Sequence, residues 1–330
     1  MAATLEHPTG APERTRRVVA DDPAHIDRWF DRATLTAGIV VLVLLVLVGV
    51  FLLLRSRQAF SEVGIFNFLT HQGFRTDTHP PKVGVLGLLS GTVIVAVIAL
   101  TIALPFGVIV ALFITEYASI RVRKYLTTLV DLLAAVPSLI FGIWGAYYLS
   151  AQVVPLEQWI GLHFSWVPFL QIDQGAKLVG SQFIAGLVVA LMVLPITASV
   201  IRETFAQTPP GEKEAALALG STRWGMIRSV VLPYGRGGIV GGAMLGLGRA
   251  LGETIAVRFI LGGVPNASFK ILENGGSTVA GFIATRAGGD TFTVSALMAA
   301  GLVLFGMTLA TNMIASVVVA RSRSGAGVEL

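Results

Sequence analysis

The stretch GEKEAALALGSTRWGMIRSVVLP, Gly211 to Pro233, decides the reading of this chain because it is polar and mixed where both flanks are long apolar runs. Its grammar is two short helices and a bend. The Thr208 hydroxyl is placed to cap the first helix, and Pro209-Pro210 suit a first turn whose N–H groups have no intrahelical partner. Glu214 to Leu219 are good helix formers, and Gly220 is a natural left-handed stop. Ser221 then opens a second helix, with Trp224, Ile227, Val230 and Val231 at helical spacing on one side and Pro233 limiting its continuation. The result is a compact elbow with small residues on its first arm.

Periodicity alone fits an ordinary loop helix between two membrane spans, but the residue identities are more specific. Glu214-Ala215-Ala216, then Gly220, then Leu232-Pro233 stand at the spacing that resembles the EAA motif of ABC importer permeases. Val230 stands where that family prefers isoleucine. In the family this elbow, 208–233 here, is the coupling helix that docks into a cytoplasmic ATPase. The resemblance therefore implies that Glu214, Ala215, Ala216, Gly220, Leu232 and Pro233 couple to an ATPase.

Composition supplies the solvent. Of 330 residues, 54% are apolar and only 13% charged, and several runs reach the ~20 residues that a helix needs to cross a bilayer. The expected fold class is all-α, a polytopic membrane protein of six spans. There is no cysteine, so disulfides and thiolate metal sites are excluded. The five histidines, His7, His25, His71, His79 and His163, lie outside the apolar runs and form no spaced cluster, so no metal site is expected. The net charge of +5 is gathered between spans rather than along a soluble face, which fits membrane orientation better than nucleic-acid binding.

In order, residues 1–33 form an N-terminal tail with a short interfacial helix at His25–Arg32, and the first span covers 35–54. An external segment follows, whose Phe60, Phe66, Phe68 and Phe74 are expected at the interface. The second span, 85–113, bends near Pro105. The third, 127–149, carries a bundle-facing kink at Pro137, and 151–180 lie outside with Trp159 and Trp166 at headgroup level. The fourth, 182–201, kinks at Pro195 and leads into the elbow. The fifth and sixth span 237–261 and 291–319, and 321–330 form a C-terminal tail. With both ends cytoplasmic, fifteen Lys and Arg fall inside and seven outside, the asymmetry that sets orientation.

Span five reads GGIVGGAMLGLGRALGETIAVRFILGG. Gly238, Gly242 and Gly246 recur every four residues and make a smooth stripe for packing another helix. On an unbroken helix Arg249 and Glu253 share that face, and their spacing allows a mutual ion pair. An ionised residue at mid-membrane costs about 2.5–3.5 kcal/mol, so both should face protein or water. Spacing leaves two readings open, a structural pair that aligns helices or a polar element of a transport path. Arg258 lies near the outer end, where its side chain can snorkel.

Arg249-Ala250-Leu251-Gly252-Glu253-Thr254 resembles the RALGET signature of phosphate-specific ABC importer permeases. Further matches are Ser90-Gly91-Thr92, Ile114-Thr115-Glu116-Tyr117, Val136-Pro137-Ser138 and Phe141-Gly142. The ETIAV ending resembles the PstC-type subunit. The likeness covers roughly residues 35–320, while the long N-terminal tail and a first external segment without a tryptophan-proline pattern depart from it. The resemblance implies a type I importer (MetI-like) fold, with Arg249, Glu253 and Thr254 on the translocation path. It also implies a PstA-type second permease, two copies of a cytoplasmic ATPase, an extracytoplasmic phosphate-binding protein and a prokaryotic plasma-membrane location. The chain has no GxxxxGK[ST] phosphate loop, so ATP and Mg are expected in the partner ATPase and no cofactor in this chain. Because the elbow is common to many importers, the alternatives are a permease for sulfate or molybdate, or a non-transporting membrane scaffold.

Overall fold

The computed structural model describes residues 25–76, 78, 81–263, 268–286 and 288–323, with 25–27 and 318–323 described by backbone alone. Expectations for residues 1–24 and 324–330 of the two tails fall outside these. The chain divides into two compact units after Val48. The first unit ends within helix α1 (His25–Arg55). The short interfacial helix expected at His25–Arg32 is instead the continuous start of α1, since no Pro or Gly interrupts Ile26 to Ala37.

In the second unit, α2 (Arg57–Val63) and α3 (Ile65–Thr70) lead to a two-residue antiparallel pair, β1 (Phe74–Arg75) and β2 (Lys82–Val83). Helix α4 (Leu86–Leu112) widens into a π-helical turn, Phe113–Tyr117, and α5 (Ile120–Ala134) follows. Next come α6 (Ser138–Trp144), a second π turn at Gly145–Leu149 and α7 (Ser150–His163). Helix α8 (Gln182–Ala206) precedes the elbow helices α9 (Pro210–Ala218), α10 (Arg223–Met226) and α11 (Leu232–Tyr234). The remainder is α12 (Arg236–Gly252), α13 (Ile255–Ile260), α14 (Val279–Arg286) and α15 (Thr291–Arg323). Among the described residues, five helical stretches are long and apolar enough to cross a membrane, 28–55, 86–117, 138–163, 182–206 and 291–317. The elbow's second arm with α12, bent by 64°, makes a sixth if counted as one span.

Helix α8 is the axis of the second unit. Ser181 starts it, its hydroxyl accepting the Ile184 N–H at 3.1 Å. Its buried Ile184, Val188, Val189, Met192 and Val193 meet Val95, Ala96, Ala99 and Ala103 of α4 and Ala250 and Leu251 of α12. Close approach depends on missing side chains. An added Cβ at Gly238 would lie 2.2 Å from Thr204 Oγ1, at Gly242 3.1 Å from Ile201 Cγ1, and at Gly246 2.7 Å from both Val193 Cγ1 and Thr197 Cγ2. All four neighbours belong to α8, so the glycine stripe of α12 lies on the central helix.

The third span differs from its expected 127–149. The chain breaks at Pro137, which is exposed and in extended conformation, and the long apolar stretch runs from Ser138 to His163. Residues 151–163 are therefore helix rather than external loop. Hydropathy stops short there because of Gln152, Glu157 and Gln158, yet Glu157 is fully buried with the Ser181 hydroxyl donating to its Oε1. Pro137 breaks the helix rather than kinking it toward the bundle. Pro105 and Pro195 sit inside continuous helices, and Pro195 is buried while Pro105 is exposed. Beside the break, Leu133, Val136, Trp144, Leu191 and Pro195 line an apolar cavity of about 280 Å³.

At the opposite end from the elbow, Phe68 and Phe74 are core residues, packed with Val85, Leu88, Phe282 and Phe292, and only Phe66 of the expected interfacial set is strongly exposed. The Ser90-Gly91-Thr92 stretch receives the turn before α14. A Cβ at Gly91 would lie 2.3 Å from the Ser277 carbonyl oxygen, and Thr92 Oγ1 accepts the Val279 N–H at 3.0 Å. Backbone bonds tie the start of α8 to the two loops beside it, Phe183 N–H to Ile271 O at 2.9 Å and Ile271 N–H to Phe169 O at 3.1 Å.

Candidate functional site

The elbow's first arm is α9, which starts at Pro210 with Pro209 as its cap. Thr208 does not cap it. It sits one residue too early for its hydroxyl to reach the second or third amide, and that hydroxyl is buried without a partner. The helix stops as Gly220 requires, at φ +85°. The Gly220 N–H bonds Leu217 O at 3.0 Å and the Ser221 N–H bonds Ala216 O at 3.1 Å, the paired closure of a Schellman motif. That closure uses Ser221, so the second helix is capped by Thr222 instead, whose Oγ1 accepts the Gly225 N–H at 3.1 Å.

The second arm buries Met226, Ile227 and Val231 against Ala111 and Leu112 of α4 and Ile201 and Phe205 of α8. Trp224 is 58% exposed and does not belong to this face, which begins at Met226. A π turn over Ile227–Val231 precedes Pro233, which has no N–H to continue the ladder. The helix nevertheless reaches Tyr234, and the chain turns at Gly235, where a Cβ would lie 2.2 Å from Phe205 Cε1. The handover to α12 is thus Gly235 rather than Pro233. Glu214, Ala215, Leu217, Leu219 and Gly220 are exposed, Ala216 and Leu232 half-buried, so the tip presents a small apolar surface.

One ion pair ties the first arm to the end of α4. Lys213 Nζ lies 2.6 Å from Glu116 Oε1, with side chains 21% and 6% exposed. Because the Lys213 side chain stays 21% exposed, breaking this pair costs less than the loss of a fully buried one, although the Glu116 carboxylate has little access to water. Spacing along the chain did not connect these two residues. The available signal was a lone glutamate in the apolar Ile114-Thr115-Glu116-Tyr117 run.

The RALGET stretch is not one helix turn but a break. Helix α12 ends at Gly252, Glu253 is extended (φ −67°, ψ 123°), and α13 begins at Ile255. Glu253 therefore no longer stands one turn above Arg249, and no ion pair joins them. The buried Glu253 carboxylate instead accepts the Ala256 N–H at 3.1 Å, which serves the open amides of α13. Thr254 Oγ1 donates to Gly252 O at 3.1 Å. Arg249 is half-buried, and its Nε is buried without a hydrogen-bond partner. Arg258 donates to Leu261 O at 3.2 Å, closing the C-terminal end of α13. Gly142 of α6 packs on this short helix, where a Cβ would lie 2.7 Å from Ala256 Cα.

The chain is similar to known transport proteins. Residues 103–324 match the family model of the binding-protein-dependent transport system inner membrane component. Phosphate transport system permease protein PstC 2 of Mycobacterium tuberculosis is 40% identical over 291 residues, covering 87% of this chain and 89% of that protein. The PstC permeases of Mesorhizobium japonicum and Xylella fastidiosa are 39% and 38% identical over 310 and 299 residues, covering 91% and 89% of this chain and 92% and 90% of theirs. Among solved structures, a bacterial alginate ABC transporter in complex with an alginate-bound periplasmic protein matches with a TM-score of 0.57. At 16% identity over 87% of this chain and 92% of that one, it is a likeness of fold.

Proposed function

The chain belongs to the binding-protein-dependent transport system inner membrane components, and from that premise we infer that it is the permease subunit of an ATP-driven phosphate importer. The observation that carries the substrate is its identity with phosphate permeases across most of both lengths, which reaches beyond the elbow shared by importers of many solutes. It is a membrane component rather than an enzyme, and hydrolysis of ATP with Mg belongs to a partner.

In this reading the complex contains a PstA-type second permease, two copies of a cytoplasmic ATPase and an extracytoplasmic phosphate-binding protein. It sits in the plasma membrane with both termini of this chain cytoplasmic. The fifteen-to-seven asymmetry of Lys and Arg supports that orientation. The exposed Glu214, Ala215, Leu217 and Leu219 surface supports docking of the ATPase at α9.

Transport then proceeds by alternating access. Closure of the ATPase dimer on ATP moves the elbow, and α8 and α12, which carry it at either end, turn the bundle outward. Phosphate released by the binding protein passes the break at Gly252–Thr254, where the Arg249 guanidinium offers hydrogen bonds and charge to an anion. Nucleotide can shift the equilibrium only because it binds one state more tightly, and hydrolysis removes that bias.

Gentle purification from native membranes, with identification of every co-purifying chain, tests the assignment. The expected result is an ATPase, a second permease and recovery of the phosphate-binding protein under cross-linking. A chain that purifies alone from membranes active in phosphate uptake would contradict it.

A further inference from the structure

We propose that the inner end of α4 is a third limb of the elbow, and that the Glu116–Lys213 pair is the residue pair through which elbow movement is positioned against it. This rests on the importer reading above and deepens it, since chain connectivity alone links the elbow only to α8 and α12.

Four contacts, independent of one another, converge on residues 111–117. Lys213 of the first arm reaches the buried Glu116 carboxylate at 2.6 Å. From the second arm, the Arg223 guanidinium lies 4.9 Å from the centre of the Tyr117 ring, in cation–π geometry. Met226, Ile227 and Val231 of the same arm pack on Ala111 and Leu112. Finally, Arg123 donates from Nε to Ile114 O at 3.0 Å and from Nη2 to Thr115 O, so the open carbonyls at the end of α4 are closed by α5 and need nothing from the elbow. The Lys213 ammonium is thereby left free to donate to Glu116.

The π turn explains why a glutamate can do this. One extra residue in the turn over Phe113–Tyr117 leaves Ile114 and Glu116 buried while Phe113 and Tyr117 stay half exposed. A charge placed there has little water to fall back on, so the pair breaks only at considerable cost and the two elements move together. Both arms of the elbow grip α4, and a displacement of α9 is delivered to α4 as well as to α8.

The test uses the complete transport complex in vesicles, with labelled phosphate uptake and ATP hydrolysis measured on the same preparation. Glu116→Gln and Lys213→Met are each expected to lower phosphate taken up per ATP hydrolysed at least about fivefold, with assembled complex and basal hydrolysis near wild type. The reversed pair, Glu116→Lys with Lys213→Glu, is expected to regain at least about half of the coupling. A purely structural role predicts instead that uptake and hydrolysis fall together with the amount of assembled complex. That result would overturn the proposal, as would single variants that keep wild-type coupling or a reversed pair no better than either single change. Because the chain has no cysteine, Glu116→Cys with Lys213→Cys gives a second arm. Joining the two thiols by a short flexible bismaleimide should raise the lowered coupling of this double variant if α4 and α9 move as one, and no gain, or a further loss, on cross-linking would overturn the proposal. Wild-type vesicles that take up no phosphate would instead defeat the importer reading itself, a separate outcome.

Discussion

Two polar places in the second unit, the end of α4 and the α12 break, are built on opposite terms. At the C-terminal end of α4 the buried Glu116 carboxylate is answered by Lys213, and helix ends are closed by Arg123, Thr222 and the Schellman turn at Gly220. At the α12 break, Arg249 keeps its Nε buried with nothing bonded to it, and Glu253 answers only a backbone amide. A joint that transmits motion gains from having every charge held. A passage for an anion gains from a donor that the resting protein leaves unspent, because an ion can then bind without first breaking an internal pair.

Substitutions can break this contrast, beginning where the effect is greatest. Hydrogen bonds to charged groups are worth about 1.5–3 kcal/mol, so Arg249→Ala should lower phosphate uptake roughly 10- to 100-fold. The amount of assembled complex, read by co-purification of the ATPase, should stay unchanged. Equal loss of assembly would move Arg249 to the structural side. Gly246→Val inserts atoms where a Cβ alone would lie 2.7 Å from Val193 and Thr197, and overpacking of this kind costs about 1–3 kcal/mol. The expected result is a lower melting temperature of the detergent-solubilised protein, with uptake falling in proportion to folded protein. Gly220→Val meets no neighbouring atom but must adopt φ +85°, at a cost of about 1–2 kcal/mol. Insertion should be normal and uptake per ATP hydrolysed reduced about fivefold.

The smallest effect belongs to neither place. Lys270, in the loop between α13 and α14, is held above its usual pKa, first by its hydrogen bond to Asp173 and then by Glu273 nearby. A raised lysine contributes fully below its unfolded pKa and loses that contribution as pH rises through the folded one. Its share is therefore flat around neutrality and falls only in alkaline solution. Lys270→Met should leave uptake within about twofold of wild type, since exposed pairs contribute little. A larger loss would give this loop a role in transport.

What the sequence could show depended on whether the signal was local. The Gly220 stop and the glycine stripe each depend on a residue type and a short spacing, and both could be read before the fold. Caps erred by single residues, because Ser221 could serve the first helix or the second, and the Schellman closure decided between them. The span boundary at 138–163 was hidden because Glu157 counts against a membrane helix until Ser181 is seen beside it. The break at Glu253 was hidden because nothing in Leu-Gly-Glu-Thr-Ile forbids a helix. The contact of Gly142 with Ala256 and the separate start of α13 arise from packing between elements far apart in sequence. The Glu116–Lys213 pair is of the same kind, joining residues 97 apart.

The central claim is that this chain forms part of a phosphate path driven by a separate ATPase. Its most direct test is labelled phosphate accumulation by vesicles holding the purified complex, with ATP on the face that carries the ATPase and the binding protein on the other. The account predicts accumulation that requires both and withstands a large excess of sulfate or molybdate. Accumulation without ATP, or equal suppression by those oxyanions, would contradict it.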